Sequence, residues 1–183
     1  MRITLANKIT ILRILAVPAF ILTVLYYSPQ YEYLRSLALG IFLLAAASDF
    51  LDGYIARRFD QKTQIGSILD PLADKLLLTS AFLCLFVQRE NFGEIQLPSW
   101  LLVVVISRDF ILLVGAVIMH LINVKMKIDP SLAGKLTTVL QVMAVIAIFF
   151  QWEQSRILWW VIVVFSAATT IDYIKRNLQS TSK

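Results

Sequence analysis

Six long apolar runs, parted only by short polar connections, constrain this chain more than anything else in it. They cover approximately residues 9–27, 36–56, 71–87, 97–121, 131–150 and 156–174. Each approaches the roughly 20 residues that a helix needs to cross a bilayer. None shows the in–out alternation over about 10 residues expected of barrel strands. The expected fold is therefore all-α, a polytopic integral membrane protein with about six transmembrane helices. At roughly 20 residues per crossing, a chain of 183 residues has little left for a soluble unit, so a single domain spanning 1–183 is expected. The first run carries Arg13 and no small-residue cleavage site follows it, so it reads as a retained span, not a signal peptide.

Composition excludes several other classes. The chain is 58% hydrophobic and 16% charged, against about 45–50% and about 25% in ordinary globular domains. Disordered chains need polarity and disulfide scaffolds need paired cysteines, whereas Cys84 stands alone. No basic block suggests a nucleic-acid partner; the lipid bilayer is the expected environment.

Orientation follows from the Lys and Arg asymmetry of the connections. With the N-terminus inside, the inner segments hold Arg2, Lys8, Arg57, Arg58, Lys62, Lys125, Lys127, Lys175, Arg176 and Lys183, against Arg35, Arg89 and Arg156 outside. Both termini are expected to be cytoplasmic. The remaining basic residues, Arg13, Lys75, Arg108 and Lys135, fall within or at the ends of apolar runs, as do Asp49, Asp52, Asp70, Asp74 and Asp109. A charge at bilayer depth costs roughly 2.5–3.5 kcal/mol even on the mildest scale, so these residues need partners, water or a ligand. Asp49, Asp52, Asp70 to Lys75 and Lys135 lie near the inner ends of their runs and Arg108 near the middle of its own, which fits a polar cavity open to the cytoplasm.

The carboxylates are the sharpest signal. Asp49 and Asp52 are three apart at the end of the second run, and Asp70 and Asp74 four apart at the start of the third. Each pair shares one helix face. Two adjoining antiparallel helices then aim four carboxylates into one space, where like charges oppose one another's ionisation. Hard divalent cations relieve that conflict, and an all-oxygen donor set suits Mg²⁺ or Mn²⁺ better than zinc. Gly53, Ala56 and Gly66 lie where a ligand must approach the backbone, and the planar fork of Arg57 suits phosphate oxygens. The plainer alternative is that Asp70 caps the third helix with Pro71 at its first turn; that leaves Asp49, Asp52 and Asp74 without a role.

The arrangement Asp49-x2-Asp52-Gly53-x2-Ala56-Arg57-x8-Gly66-x3-Asp70-x3-Asp74 resembles the signature of the CDP-alcohol phosphatidyltransferases, with every fixed position filled. The resemblance implies a membrane enzyme of phospholipid biosynthesis that transfers a phosphatidyl group from CDP-diacylglycerol to an alcohol and releases CMP. It implies a two-metal site of Mg²⁺ or Mn²⁺ held by Asp49, Asp52, Asp70 and Asp74, with Asp74 also the general base. Gly53, Ala56 and Arg57, with Asp49, Asp52 and Gly66 beside them, would line the CDP pocket. A homodimer in a bacterial inner membrane, its active site facing the cytoplasm, is implied as well.

The cations bear on the acceptor. Arg13, Arg108 and Lys135 lie on three different runs and together would make an anion site for a phosphorylated alcohol. The alternatives are an Arg108–Asp109 ion pair and a Lys135 that snorkels, while Lys75 is expected to balance the neighbouring carboxylates. The opening Asn7–Arg13 and the stretch Ala47–Lys75 most resemble the branch of the family that makes phosphatidylglycerophosphate from glycerol 3-phosphate. The second half, from Ser107 to Gln141, is also similar to the single-domain cardiolipin synthases, which use phosphatidylglycerol. Phospholipase D-type chemistry is excluded, because it needs two His-x-Lys motifs and His120 is the only histidine. Intramembrane prenyltransferases share Asp-rich motifs but lack the Gly53-x2-Ala56-Arg57 continuation. A small transporter is the non-enzyme alternative, and no half-chain symmetry supports it.

Overall fold

The computed structural model describes the backbone over residues 5–58, 66–121 and 132–181, and side chains over 11–48, 73, 75–115, 133–173 and 175. Six helices follow one another: α1 (Leu5–Leu25), α2 (Glu32–Arg58), α3 (Gly66–Val87), α4 (Ser99–Leu121), α5 (Leu132–Phe149) and α6 (Ser155–Thr181). The described residues hold no strand. Every apolar run read from the sequence has its helix, lengthened or trimmed by a few residues at each end. The plainer alternative for Asp70 is not met. Helix α3 starts at Gly66, so Asp70 and Pro71 lie within it and not at its cap. Having no N–H, Pro71 leaves the carbonyl of Ser67, four residues earlier, without its helical hydrogen bond.

The helices run alternately up and down, and the contacts of their ends show it. At one end, Gln88 after α3 donates to the Leu25 carbonyl that closes α1 at 2.5 Å. There too Arg35 of α2 donates through Nε to the Phe149 carbonyl of α5 at 2.8 Å. Trp100 and Trp160, near the starts of α4 and α6, stack with centroids 5.2 Å apart. The opposite end therefore gathers the start of α1, the end of α2, the start of α3, the end of α4, the start of α5 and the end of α6. Helix α1 packs on α2 and α3, and α6 packs on α5 and α4.

The end carrying Trp100 and Trp160 is held by aromatic packing and by one glutamine. Phe92 meets Tyr27 at 4.6 Å and Phe149 at 5.2 Å between centroids, and Phe20 meets Phe42 at 5.8 Å. Helix α5 ends in a Schellman-type turn: the Trp152 amide reaches the Ala147 carbonyl at 2.9 Å and the Gln151 amide reaches that of Ile148 at 3.1 Å. Gln151 stands at the left-handed position with φ 52°, where glycine is usual. Its side chain accounts for the exception. The amide accepts from the Ile95 N–H at 2.8 Å and donates to the Ile95 carbonyl at 3.2 Å, tying the α3–α4 connection to α5.

Large apolar side chains cover the outside of every helix, among them Leu15, Leu44, Leu83, Phe110, Val139 and Val164. Among the described residues one segment, Ser155–Tyr173, is both long and apolar enough to cross a membrane; Ile11–Leu25, Lys75–Val87 and Ala133–Phe149 are shorter apolar stretches.

Candidate active site

The motif is divided between two helix ends at the same end of the bundle. Asp49, Asp52, Gly53, Ala56 and Arg57 lie in the last turns of α2, and Gly66, Asp70 and Asp74 in the first turns of α3. These two helices also pack on one another. The side chains of all eight lie outside those described, so their geometry rests on helix position: spacings of three and four keep each Asp pair on one face. Among the described residues no group of three or more His, Cys, Asp or Glu side chains gathers to hold a metal. The motif itself brings four carboxylate residues to adjoining helix ends, a set of hard-oxygen type that suits a divalent cation.

Just above the motif, each helix contributes buried or half-buried polar residues at a similar height. Counted at 1.5 Å per residue, Arg13, Ser48, Lys75, Arg108, Gln141 and Thr169 all stand roughly 12–20 Å from the motif-side ends of their helices. Arg13 is 1% exposed, and its Nε donates to the Ser48 hydroxyl at 3.4 Å, which itself donates to the Ala45 carbonyl at 2.7 Å. Ser48 directly precedes Asp49.

Lys75, Arg108 and Asp109 form a second group. Lys75 Nζ and Arg108 Nη1 each meet Asp109 Oδ1 at 2.6 Å, across α3 and α4. Arg108 and Asp109 are buried, and Arg108 Nε has no hydrogen-bond partner among the described residues. Two cations against one carboxylate leave a net positive charge in a low-dielectric setting, with a guanidinium donor unused. Such a group attracts an anion.

The residues expected to hold an anion are thus placed unequally. Arg13 and Arg108 are buried, whereas Lys135 is exposed on α5. The ion pair weighed as the plainer reading of Arg108 is present, and Lys75 engages Asp109 on the neighbouring helix. Sequence reasoning gave no role to Gln141, which is fully buried with neither amide atom hydrogen-bonded, nor to Thr137 one turn before it, whose hydroxyl bonds the Ala133 carbonyl at 2.8 Å. Two polar residues four apart inside an apolar run were the available signal.

One of the cavities adjoins the site. A groove of about 330 Å³ between α1 and α2 is lined by Leu12, Leu15, Ala16, Ala45, Arg13 and Ser48, apolar along its length and polar only at the last two. The larger cavity, about 560 Å³, is lined by Arg89, Glu94, Trp100, Arg156, Trp159 and Trp160. It lies at the far end of the bundle, the full length of a helix from the carboxylates, and is too distant to serve them.

Comparison with known proteins adds the following. The family described as CDP-alcohol phosphatidyltransferase matches residues 3–171. A probable phosphatidylglycerophosphate synthase of Mycobacterium tuberculosis is 32% identical over 182 residues, covering 96% of this chain and 82% of that protein. A CDP-diacylglycerol–glycerol-3-phosphate 3-phosphatidyltransferase of Rickettsia bellii is 33% identical over 180 residues, 93% of each chain. One of the same description from Bacillus subtilis is 29% identical over 197 residues, 96% of each.

Proposed function

The chain belongs to the CDP-alcohol phosphatidyltransferase family, and from that membership we propose that it transfers a phosphatidyl group from CDP-diacylglycerol to glycerol 3-phosphate, giving phosphatidylglycerophosphate and CMP. The observation that carries the reading is the complete motif on the adjoining ends of α2 and α3, with buried cations on neighbouring helices just above it. The relatives described above are named for phosphatidylglycerophosphate synthesis, which favours glycerol 3-phosphate over phosphatidylglycerol as acceptor.

In this reading the chain's residues divide the work. Asp49, Asp52, Asp70 and Asp74 hold Mg²⁺ or Mn²⁺, while Gly53, Ala56 and Gly66 admit the CDP moiety and Arg57 contacts its phosphates. Bound there, two cations neutralise the pyrophosphate and stabilise departing CMP. Arg13, Arg108 and Lys135 hold the acceptor phosphate, which places the acceptor hydroxyl beside Asp74. Asp74 takes the hydroxyl proton as the oxygen bonds to the phosphatidyl phosphorus and the pyrophosphate bond breaks. The apolar groove beside Arg13 and Ser48 suits an acyl chain of the lipid substrate.

The same reading sets all six helices in a bacterial inner membrane with the motif facing the cytoplasm, and gives the protein as a homodimer. Exposed apolar side chains on every helix support the bilayer, since a water-soluble surface rarely carries so much of it. The charge asymmetry of the connections supports the orientation.

The test is acceptor competition. Purified protein is given CDP-diacylglycerol and Mg²⁺ with glycerol 3-phosphate or phosphatidylglycerol in separate reactions. CMP and phosphatidylglycerophosphate are expected from the first alone; cardiolipin from the second would overturn the acceptor.

A further inference from the structure

Asp109 stands outside the motif, yet it is the one described carboxylate that two buried or half-buried cations share. Lys75 Nζ and Arg108 Nη1 both end on its Oδ1 at 2.6 Å, so a single oxygen joins α3 to α4. Each cation has a consequence for the site. Lys75 is the residue after Asp74, on the turn of α3 that carries the carboxylates. An ammonium next in sequence to a motif carboxylate is a natural counter-ion for it, and a carboxylate that accepts its hydrogen bond has a lone pair fewer to offer a cation. The 2.6 Å contact commits that ammonium to α4 instead. Arg108 is fixed on one edge by the carboxylate next to it in the chain, and its buried Nε is left without a partner.

We propose that Asp109 is a positioning residue that acts through both cations. It holds Lys75 away from the carboxylates of α2 and α3, and it fixes the guanidinium of Arg108 so that its unused edge meets the phosphate of the acceptor. The inference rests on the reaction proposed above. The two arms have different kinetic signatures: release of Lys75 lowers kcat, and release of Arg108 raises the KM of the phosphorylated acceptor.

The experiment compares Asp109→Asn, Asp109→Glu, Lys75→Met and the double variant Asp109→Asn/Lys75→Met in purified protein, with glycerol 3-phosphate and CDP-diacylglycerol varied separately. Loss of a charged hydrogen bond predicts that Asp109→Asn raises the KM for glycerol 3-phosphate roughly 10- to 100-fold, with that for CDP-diacylglycerol nearly unchanged. The double variant recovers about tenfold in kcat over Asp109→Asn and keeps the raised KM, because the freed ammonium is gone while Arg108 remains unclamped. Lys75→Met alone leaves the acceptor KM near that of the unmodified protein. A purely structural role predicts instead equal losses on both substrates that follow a lowered Tm, with no rescue, and that outcome overturns the proposal. If Asp109→Asn does not fold, Asp109→Glu decides: it keeps the charge, displaces the oxygen by one methylene, and raises the acceptor KM by about threefold at unchanged Tm, or the proposal fails. Unmodified protein without turnover on glycerol 3-phosphate overturns the acceptor assignment itself; turnover there with an unaffected Asp109→Asn overturns this inference alone.

Discussion

Arg13 Nε donates to the hydroxyl of Ser48 at 3.4 Å, which fastens a guanidinium of α1 to the residue directly before Asp49. Arg13 is almost wholly buried, so its charge acts inside the bundle. Arg13→Gln keeps a polar amide on a shorter side chain and removes the charge. It is expected to lower kcat/KM for glycerol 3-phosphate by roughly 10- to 100-fold. Ser48→Ala removes only the neutral partner and is expected to cost less than about tenfold. Steady-state kinetics on both variants check the order; a larger effect from Ser48→Ala would remove Arg13 from the site.

Asp74→Asn separates binding from chemistry. The variant keeps the size of the side chain and cannot take a proton. CDP-diacylglycerol binding is expected to survive, while CMP release falls by about 10²–10⁴-fold. Binding by equilibrium titration and CMP release under single-turnover conditions give the two numbers separately. Normal turnover would exclude Asp74 as the base.

Removal of divalent cations should silence the protein. The motif supplies four carboxylates, with no His or Cys between Asp49 and Asp74 in the sequence, and so forms a hard-oxygen donor set. EDTA is therefore expected to abolish CMP release, and Mg²⁺ or Mn²⁺ to restore it, with zinc a poor substitute. Activity that persists after exhaustive chelation would contradict the metal assignment.

Gln141 gives a stability prediction of unusual sign. Its amide is fully buried and neither atom is hydrogen-bonded. A buried polar group left unsatisfied costs about 1–3 kcal/mol, and an apolar group of similar shape removes that cost. Gln141→Leu is accordingly expected to match or exceed the thermal stability of the unmodified protein. A Tm lowered by several degrees would show that the amide is satisfied by a partner such as an internal water.

Gly93 predicts the opposite. It adopts φ 114°, and a Cβ there would come within 2.5 Å of Gln151 Oε1, the atom that accepts from Ile95. Gly93→Ala is expected to destabilise by about 1–3 kcal/mol through backbone strain and loss of that bond. Because this position lies at the end of the bundle away from the motif, turnover below the transition is expected to be unchanged. Thermal unfolding and an assay at low temperature read the two effects independently.

The six helices were legible in the sequence because long apolar runs admit few other structures, and the motif was legible because its residues lie close together along the chain. Features made by residues far apart were not. Lys75 looked like a counter-ion for its sequence neighbours, and only the packing of α3 against α4 brings it to Asp109. Asp70–Pro71 has the chemistry of a helix start, yet α3 begins one turn earlier, at Gly66. The pairing of Gln151 with Ile95 spans 56 residues and leaves no periodic trace. Burial of Gln141 left a fainter trace, its spacing of four from Thr137, which puts both on one face without saying that the face is inward.

Six alternating helices return the chain to the side from which it sets out. The head of α1 and the tail of α6 therefore lie at the end of the bundle that carries Asp49 and Asp74, and in the membrane setting proposed above they share one aqueous compartment with it. A fluorophore or an epitope attached at either place reports on the compartment from which a water-soluble acceptor must arrive. Accessibility measured in sealed vesicles of known sidedness would then fix where the reaction draws its substrate without any assay of the reaction.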